Sequence, residues 1–257
     1  MVDSFVISLS SLVFVVMGLI TLNKGRTARA ESTRMEDTET TAIRDLESGQ
    51  VEVKGTVHGT DDATLQRSPI DGTEALAVHL EVKELHSDGN GPGNWQTIFE
   101  NQTAEPMFID DGTGEVLVNL PEDGGLNLGQ SEWKVEAGDD PPEEIRTYVE
   151  NEPALDLPDG VDIGPLSTGE RRRYLEGTLE PGENVYLLGT ARETEAGWDN
   201  RDYVIDGPTS DGDFVLSDKS EAALIEEGRS SGLVFLTAGA LMIVIGLASL
   251  LSPLLPI

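Results

Sequence analysis

Two uncharged, mostly apolar stretches bracket a polar middle in this chain. Phe5–Leu22 carries no charge, and neither does anything from Ser230 to Ile257. A helix needs about 20 residues to cross a hydrocarbon core of roughly 30 Å, so each stretch predicts a membrane-spanning helix. In the second, Gly232–Leu251 is apolar on all sides, and Pro253 and Pro256 follow where a helix would stop. Its small residues Gly239, Ala240, Gly246 and Ala248 would let a neighbouring helix approach closely.

The middle alternates with the period of strands. Gln50–Gly59 places Val51, Val53, Thr56 and Val57 around Gly55, which predicts a strand bulged or bent at the glycine. Arg67–Gly72 reads as a turn, and Ala75–Leu85 alternates again. The Gly/Asn-rich loop His86–Asn94 and the run Trp95–Glu100 complete a hairpin. Met107–Ile109, the Asp110–Gly114 turn and Glu115–Leu120 predict a second hairpin. Asp140-Pro141-Pro142-Glu143-Glu144 has the N-cap, early prolines and first-turn acids of a helix start, with Ile145, Tyr148 and Val149 as its apolar face. Strands at Arg171–Thr178 and Asn184–Ala191 flank a Pro181-Gly182 turn, and Trp198–Ile205 and Phe214–Leu216 read as closing strands. Trp95 and Trp133 read as either core anchors or surface aromatics, the core being the commoner place for Trp in β structure. The expected organisation is a transmembrane helix at 1–22, a juxtamembrane segment at 23–47, a β domain at 48–229, and a second transmembrane helix with a short tail at 230–257.

Charge sharpens this. The 257 residues hold 17 Lys and Arg against 48 Asp and Glu, a net charge of −31, and no Cys. Duplex nucleic acid is excluded as a natural partner, because counterion release needs clustered cations. Without cysteine there is no disulfide, thiolate nucleophile or cysteine-held zinc. The acidic, lysine-poor composition suits a protein kept soluble in multimolar salt, where repulsion between carboxylates is screened. Lys24, Arg26, Arg29 and Arg34 follow the first apolar stretch, whereas Asp3 precedes it. That polarity argues against a cleaved signal peptide, despite Ala28-Arg29-Ala30. It predicts a two-pass cell-membrane protein with its acidic domain in the cytoplasm and both termini outside.

The order of short motifs resembles the GIDE domain, also called BAM. That family includes mitochondrial ubiquitin ligases of the MULAN/MAPL type and prokaryotic relatives. The matching positions are Val51–Val57 with Gly55, Ser68-Pro69 with Gly72, Trp95, Pro106 through Val118 (with Phe108, Asp111 and Gly114), and Arg173 through Gly189 (with Pro181 and Gly182). Met107 stands where the family has Pro before Phe. The pieces also resemble the strand pattern of an OB-type barrel. The expected fold is therefore a mainly β soluble domain, an OB-like small barrel with an inserted hairpin and one helix, between two transmembrane helices. A plain β-sandwich is the alternative. The family's ligases carry a RING after the second span, and a RING needs zinc-binding Cys and His that this sequence cannot supply. The resemblance and the missing ligands thus imply a RING-lacking type of member, and the acidic composition a halophilic archaeal one.

Catalytic, cofactor and metal residues are expected to be none. Gly228-Arg229-Ser230-Ser231-Gly232 fits G-x-S-x-G, but at a membrane helix start rather than on the strand-to-helix turn a nucleophile needs. Asp110, Asp111 and Glu115, like Asp211 and Asp213, read as turn acids, and His58, His79 and His86 lack ligand spacing. The basic cluster Arg171-Arg172-Arg173 beside Tyr174 is the candidate partner-binding site, against the simpler reading that its arginines pair with neighbouring acids. The expected partners are the lipid bilayer and an unidentified protein. The expected function is a membrane-anchored, partner-recruiting module without catalysis of its own. The alternative, implied by the resemblance, is a membrane component of a ubiquitin-like modification pathway.

Overall fold

In a computed structural model of the chain, the described residues are 2–86, 93–121, 124–136, 139, 142–145, 147, 171–194, 203–207 and 214–251, with 2–10 described by their backbone alone. They fall into two units: Met1–Glu39 with Ser220–Ile257, and Thr40–Lys219.

The first unit is a helical hairpin. Helix α1 spans Val2–Asp37 and α2 spans Glu221–Leu251. Glycines bring the two backbones together in antiparallel order. A Cβ on Gly239 would lie 2.8 Å from the Gly18 carbonyl oxygen, one on Gly25 would lie 2.9 Å from that of Gly232, and one on Gly246 would lie 2.9 Å from that of Ser11. Of the small residues expected to admit a neighbouring helix, Gly239 and Gly246 do so, and the neighbour is the chain's own first helix, whereas Ala240 and Ala248 are exposed. Leu233, Val234, Leu241 and Val244 of α2 stay exposed, as do Leu12, Val13, Val16 and Leu19 of α1. Among the described residues one helix, Glu221–Leu250, has the length and composition of a membrane span. Both helices outrun their apolar stretches: α1 continues to Asp37, inside the expected juxtamembrane segment, and α2 starts at Glu221 rather than near 230. The G-x-S-x-G sequence lies inside α2, its Ser230 hydroxyl donating to the Glu227 carbonyl at 3.0 Å, so it forms no nucleophile turn.

The second unit is built on a closed five-stranded barrel. Strand β1 (Gly49–Gly59) pairs antiparallel with β10 (Asn184–Glu193) on one side and β6 (Met107–Asp110) on the other. A tight hairpin joins β6 to β7 (Glu115–Asn119), which runs parallel to β11 (Tyr203–Asp206). β11 returns antiparallel to β10 and closes the ring, and β12 (Val215–Ser217) adds to β10 outside it. Counting only barrel strands in chain order, the ring reads 1-2-3-5-4-1, an OB-type arrangement rather than a sandwich. Alternation supplies the core: Val53, Val57, Ile109, Val118, Leu187 and Ile205 are fully buried.

Gly55 is not a bulge. Its register with Val185 is regular, and a Cβ there would lie 2.5 Å from the Asp110 carbonyl oxygen, so the glycine admits β6 at the seam. Gly189 is equally confined, 2.6 Å from the Ile205 side chain. The Pro181-Gly182 turn is tied to β1, with Gly182 N–H donating to the Val57 carbonyl at 2.7 Å and Val57 N–H to that of Glu183 at 2.9 Å.

A second, four-stranded sheet orders β5-β4-β9-β8. Its hairpin β4 (Ala77–His86) and β5 (Asn94–Ala104) is inserted between β1 and β6, as expected. Strands β8 (Ser131–Val135) and β9 (Arg172–Leu179) come from the connection between β7 and β10. A two-residue ladder, β2 (Gln66–Arg67) with β3 (Glu74–Ala75), brackets the Ser68–Thr73 turn.

Residues 143–145 and 147 are helical, but Ile145 packs with Val82, Val135 and Tyr174 of the second sheet. The soluble helix therefore serves that sheet rather than capping the barrel. Trp133 is half exposed on β8 and Trp95 is partly exposed on β5, rather than in the core, because β8 and β5 are the two edge strands of this sheet. The Asp140-Pro141 helix start, Tyr148, Val149, most of the His86–Asn94 loop, residues 198–202 of the expected closing strand, and Asp211–Asp213 lie outside the described residues.

Candidate binding groove on the barrel face

Two strands of the barrel break strict alternation. Met107 and Ile109 of β6 enter the core, yet Phe108 between them is also apolar. Val116 and Val118 of β7 do the same around Leu117. Apolar residues on both faces of a strand mean that both faces have something to cover. Outside the barrel, Phe108, Leu117 and Val204 floor a groove of about 720 Å³. That volume is in the range of ligand and peptide sites. It lies over the second and third barrel strands, between the connection that leaves β1 at Thr60 and the end of β10 at Thr194, the face OB-type barrels use for ligands.

The groove's polar lining is one-sided. Asp61, Asp62, Glu105 and Glu115 contribute carboxylates, and among the described residues neither Lys nor Arg lines it. His58 Nε2 sits 3.3 Å from Glu115 Oε1, with its ring tilted against Phe108 at a centroid separation of 5.6 Å. Elsewhere on the domain several acids have a cation beside them: Glu52 with Lys54 at 2.9 Å, Glu81 with Lys83 at 2.8 Å, and Asp206 with Arg192.

The arginine cluster is one of those matched places. Arg172 is buried and donates to Glu84 at 2.9 Å; Arg171 reaches Glu136 at 3.1 Å; Arg173 reaches Glu132 at 3.3 Å and lies 4.0 Å over the Trp95 ring. Tyr174 is buried, and desolvation pushes its hydroxyl pKa up, against the pull of the nearby Arg172 charge. Its hydroxyl forms no well-directed hydrogen bond among the described residues. The geometry favours internal pairing over a docking role for this cluster.

The remaining motif residues are structural in position. Ser68 donates to Glu176 Oε2 at 2.6 Å, and Ile70 N–H donates to Oε1 at 3.2 Å. Pro69 is buried between them, and Gly72 takes a positive φ of 76° to close the turn. Burial raises the Glu176 pKa, with the donors from Ser68 and Ile70 opposing. Asp111 caps its turn by accepting from Thr113 N–H at 2.8 Å and Gly114 N–H at 3.2 Å, and it takes Ile43 N–H at 2.9 Å. Partial burial works to raise its pKa, but those donors outweigh burial and hold the carboxyl below its ordinary value. Its oxygens are thus engaged, and among the described residues there is no cluster of three metal-ligating side chains. His79 is buried and pairs with Glu100 at 3.0 Å. Of the motif positions, Pro106, Phe108, Glu115 and Leu117, all from the one stretch Pro106–Val118, line the groove. His58, Asp61, Asp62 and Glu105 gave no sequence signal, whereas the unbroken apolar runs around Phe108 and Leu117 did.

A closed OB-type barrel carrying a second sheet, in a chain with one helix long and apolar enough to cross a membrane among the described residues, defines the class of protein. The family model for the GIDE domain, described as an E3 ubiquitin ligase family, matches residues 169–251, from just before β9 to the end of α2. Over that segment, about a third of the chain, the sequence is similar to the GIDE family. No curated protein and no solved structure matches the chain significantly.

Proposed function

We propose that this chain is a membrane-anchored interaction module that recruits a protein partner through the barrel groove and performs no catalysis alone. The observation that carries this is the groove itself, an apolar floor with an acidic rim on the binding face of an OB-type barrel. Both helices present apolar side chains outward, which supports a two-pass anchor, and the basic residues after the first apolar stretch support a cytoplasmic domain. The acidic composition supports life in high salt.

A photo-crosslinking residue at Leu117, compared with one at the distant exposed Thr113, tests the reading in native membranes. A discrete protein adduct at Leu117 alone is expected. Adducts with lipid only, or none, overturn it.

The second reading, a component of a ubiquitin-like pathway, is favoured by the printed description of the family. With no cysteine in these residues, thioester chemistry and thiolate-held zinc would come from a partner. An adduct identified as a modifier or its conjugating enzyme would select this reading.

A further inference from the structure

We infer that the groove takes an extended cationic peptide segment of a partner protein, with an aliphatic or aromatic side chain set between Arg or Lys residues. This rests on the reading of the groove as the recruiting face and adds the chemistry of what it recruits.

Three observations converge. The floor of Phe108, Leu117 and Val204 offers a concave apolar seat for one or two side chains. Asp61, Asp62 and Glu105 stand on its rim, and among the described residues none of them has a cationic partner. This differs from the second sheet, where each acid facing a cation is paired with it: Glu84 with Arg172, Glu132 with Arg173, Glu136 with Arg171. General acidity of the chain accounts for carboxylates everywhere. It does not account for cations lying along the second sheet while, among the described residues, none lines the groove.

Complementarity then selects the ligand. A nucleic acid would set phosphates against four carboxylates, and an acidic peptide would do the same. A second copy of this chain is a poor donor, since its one run of three basic residues, Arg171–Arg173, is a strand of the second sheet. An extended basic peptide satisfies floor and rim together: the apolar side chain enters and flanking guanidinium groups reach the rim, where paired carboxylate contacts are favourable.

The test uses the full chain in detergent micelles and a fluorescent hexapeptide alternating arginine with leucine, with binding read by anisotropy. It is run in 1 M KCl, where a Debye length of about 3 Å removes the field of the net charge and leaves only contact pairs. Binding is expected, with peptides carrying glutamate for arginine, or serine for leucine, each about tenfold weaker or worse. Neutralising the rim by Asp61→Asn, Asp62→Asn and Glu105→Gln together should weaken binding about tenfold. Removing three exposed carboxylates elsewhere, by Glu47→Gln, Glu74→Gln and Glu180→Gln, should leave it unchanged.

Equal losses in both triple variants, or indifference to either peptide change, overturn the inference. The peptide changes keep it falsifiable even if a variant fails to fold. A protein adduct at Leu117 without arginine–leucine peptide binding would overturn the ligand chemistry and leave recruitment standing.

Discussion

The Ser68 hydroxyl donates to the buried Glu176 carboxylate across 2.6 Å, joining residues 108 apart in the chain. Each belongs to a different motif, the Ser-Pro turn and the Arg-Tyr-x-Glu strand. The pair fastens the turn between β2 and β3 onto β9, and Ile70 N–H completes the carboxylate's coordination at 3.2 Å. Motifs that look independent along the chain are thus two halves of one contact.

Glu176→Leu should destabilise the domain by about 1–3 kcal/mol, because it strands the Ser68 hydroxyl and the Ile70 N–H without a partner. Glu176→Gln keeps both in reach and should be far milder. The pH dependence separates charge from hydrogen bonding. Glu176 has its folded pKa raised by burial, so ionisation costs stability as pH rises through that value. The Gln variant should therefore gain on the parent between pH 4.5 and pH 8, read by thermal melts of both in the same buffers. A constant difference would place the raised pKa in error.

Asp111 should show the opposite sign. Its folded pKa is lowered, so its contribution is present above the ordinary carboxylate range and is lost as pH falls through the folded value. Asp111→Ala should cost about 1–3 kcal/mol at pH 7 and lose that cost on acidification. Melting curves across pH 2 to 7 check it.

Gly55→Ala should destabilise the barrel by about 1–3 kcal/mol, since the added methyl lies 2.5 Å from the Asp110 carbonyl oxygen and only backbone movement relieves it. Gly112→Ala is the control. Nothing lies within 4 Å of its Cβ, but φ is +81°, so its cost is conformational, about 1 kcal/mol. Denaturant midpoints of the two variants measure the difference between crowding and backbone strain.

Salt dependence follows from the net charge of −31. Repulsion reaches about 10 Å at 0.1 M salt but about 3 Å at 1 M, and the compact state concentrates charge more than the unfolded chain. Circular dichroism of the full chain in micelles should show the β signal strengthen between 0.1 M and 3 M KCl. Equal stability at both would remove the high-salt reading.

Topology is checked in a chain that has no native cysteine to interfere. With single cysteines at Ser131 or at Ser4, just before the first apolar stretch, an impermeant thiol reagent on intact cells should label Ser4→Cys and leave Ser131→Cys unlabelled until lysis. Labelling at Ser131 without lysis would reverse the orientation.

Local rules in the sequence determined the apolar ends, the strand alternation and the tight Asp/Gly turn, because each depends on neighbours a few residues apart. They also determined the barrel strands β1, β6, β7 and β10, whose turns and glycines are read in place. Which strands became neighbours was decided in three dimensions. Arg172 and Glu84, like Ser68 and Glu176, meet only because β9 lies beside the inserted hairpin, and strand pairing at that separation leaves no periodic trace. The groove shows the same division. Phe108 and Leu117 announced an apolar outer face, but Asp61, Glu105 and His58 reach its rim by chain paths through two connections. Burial, pairing and the exposure of Trp133 are properties of what packs opposite a residue, and a single sequence does not encode that opposite by spacing alone.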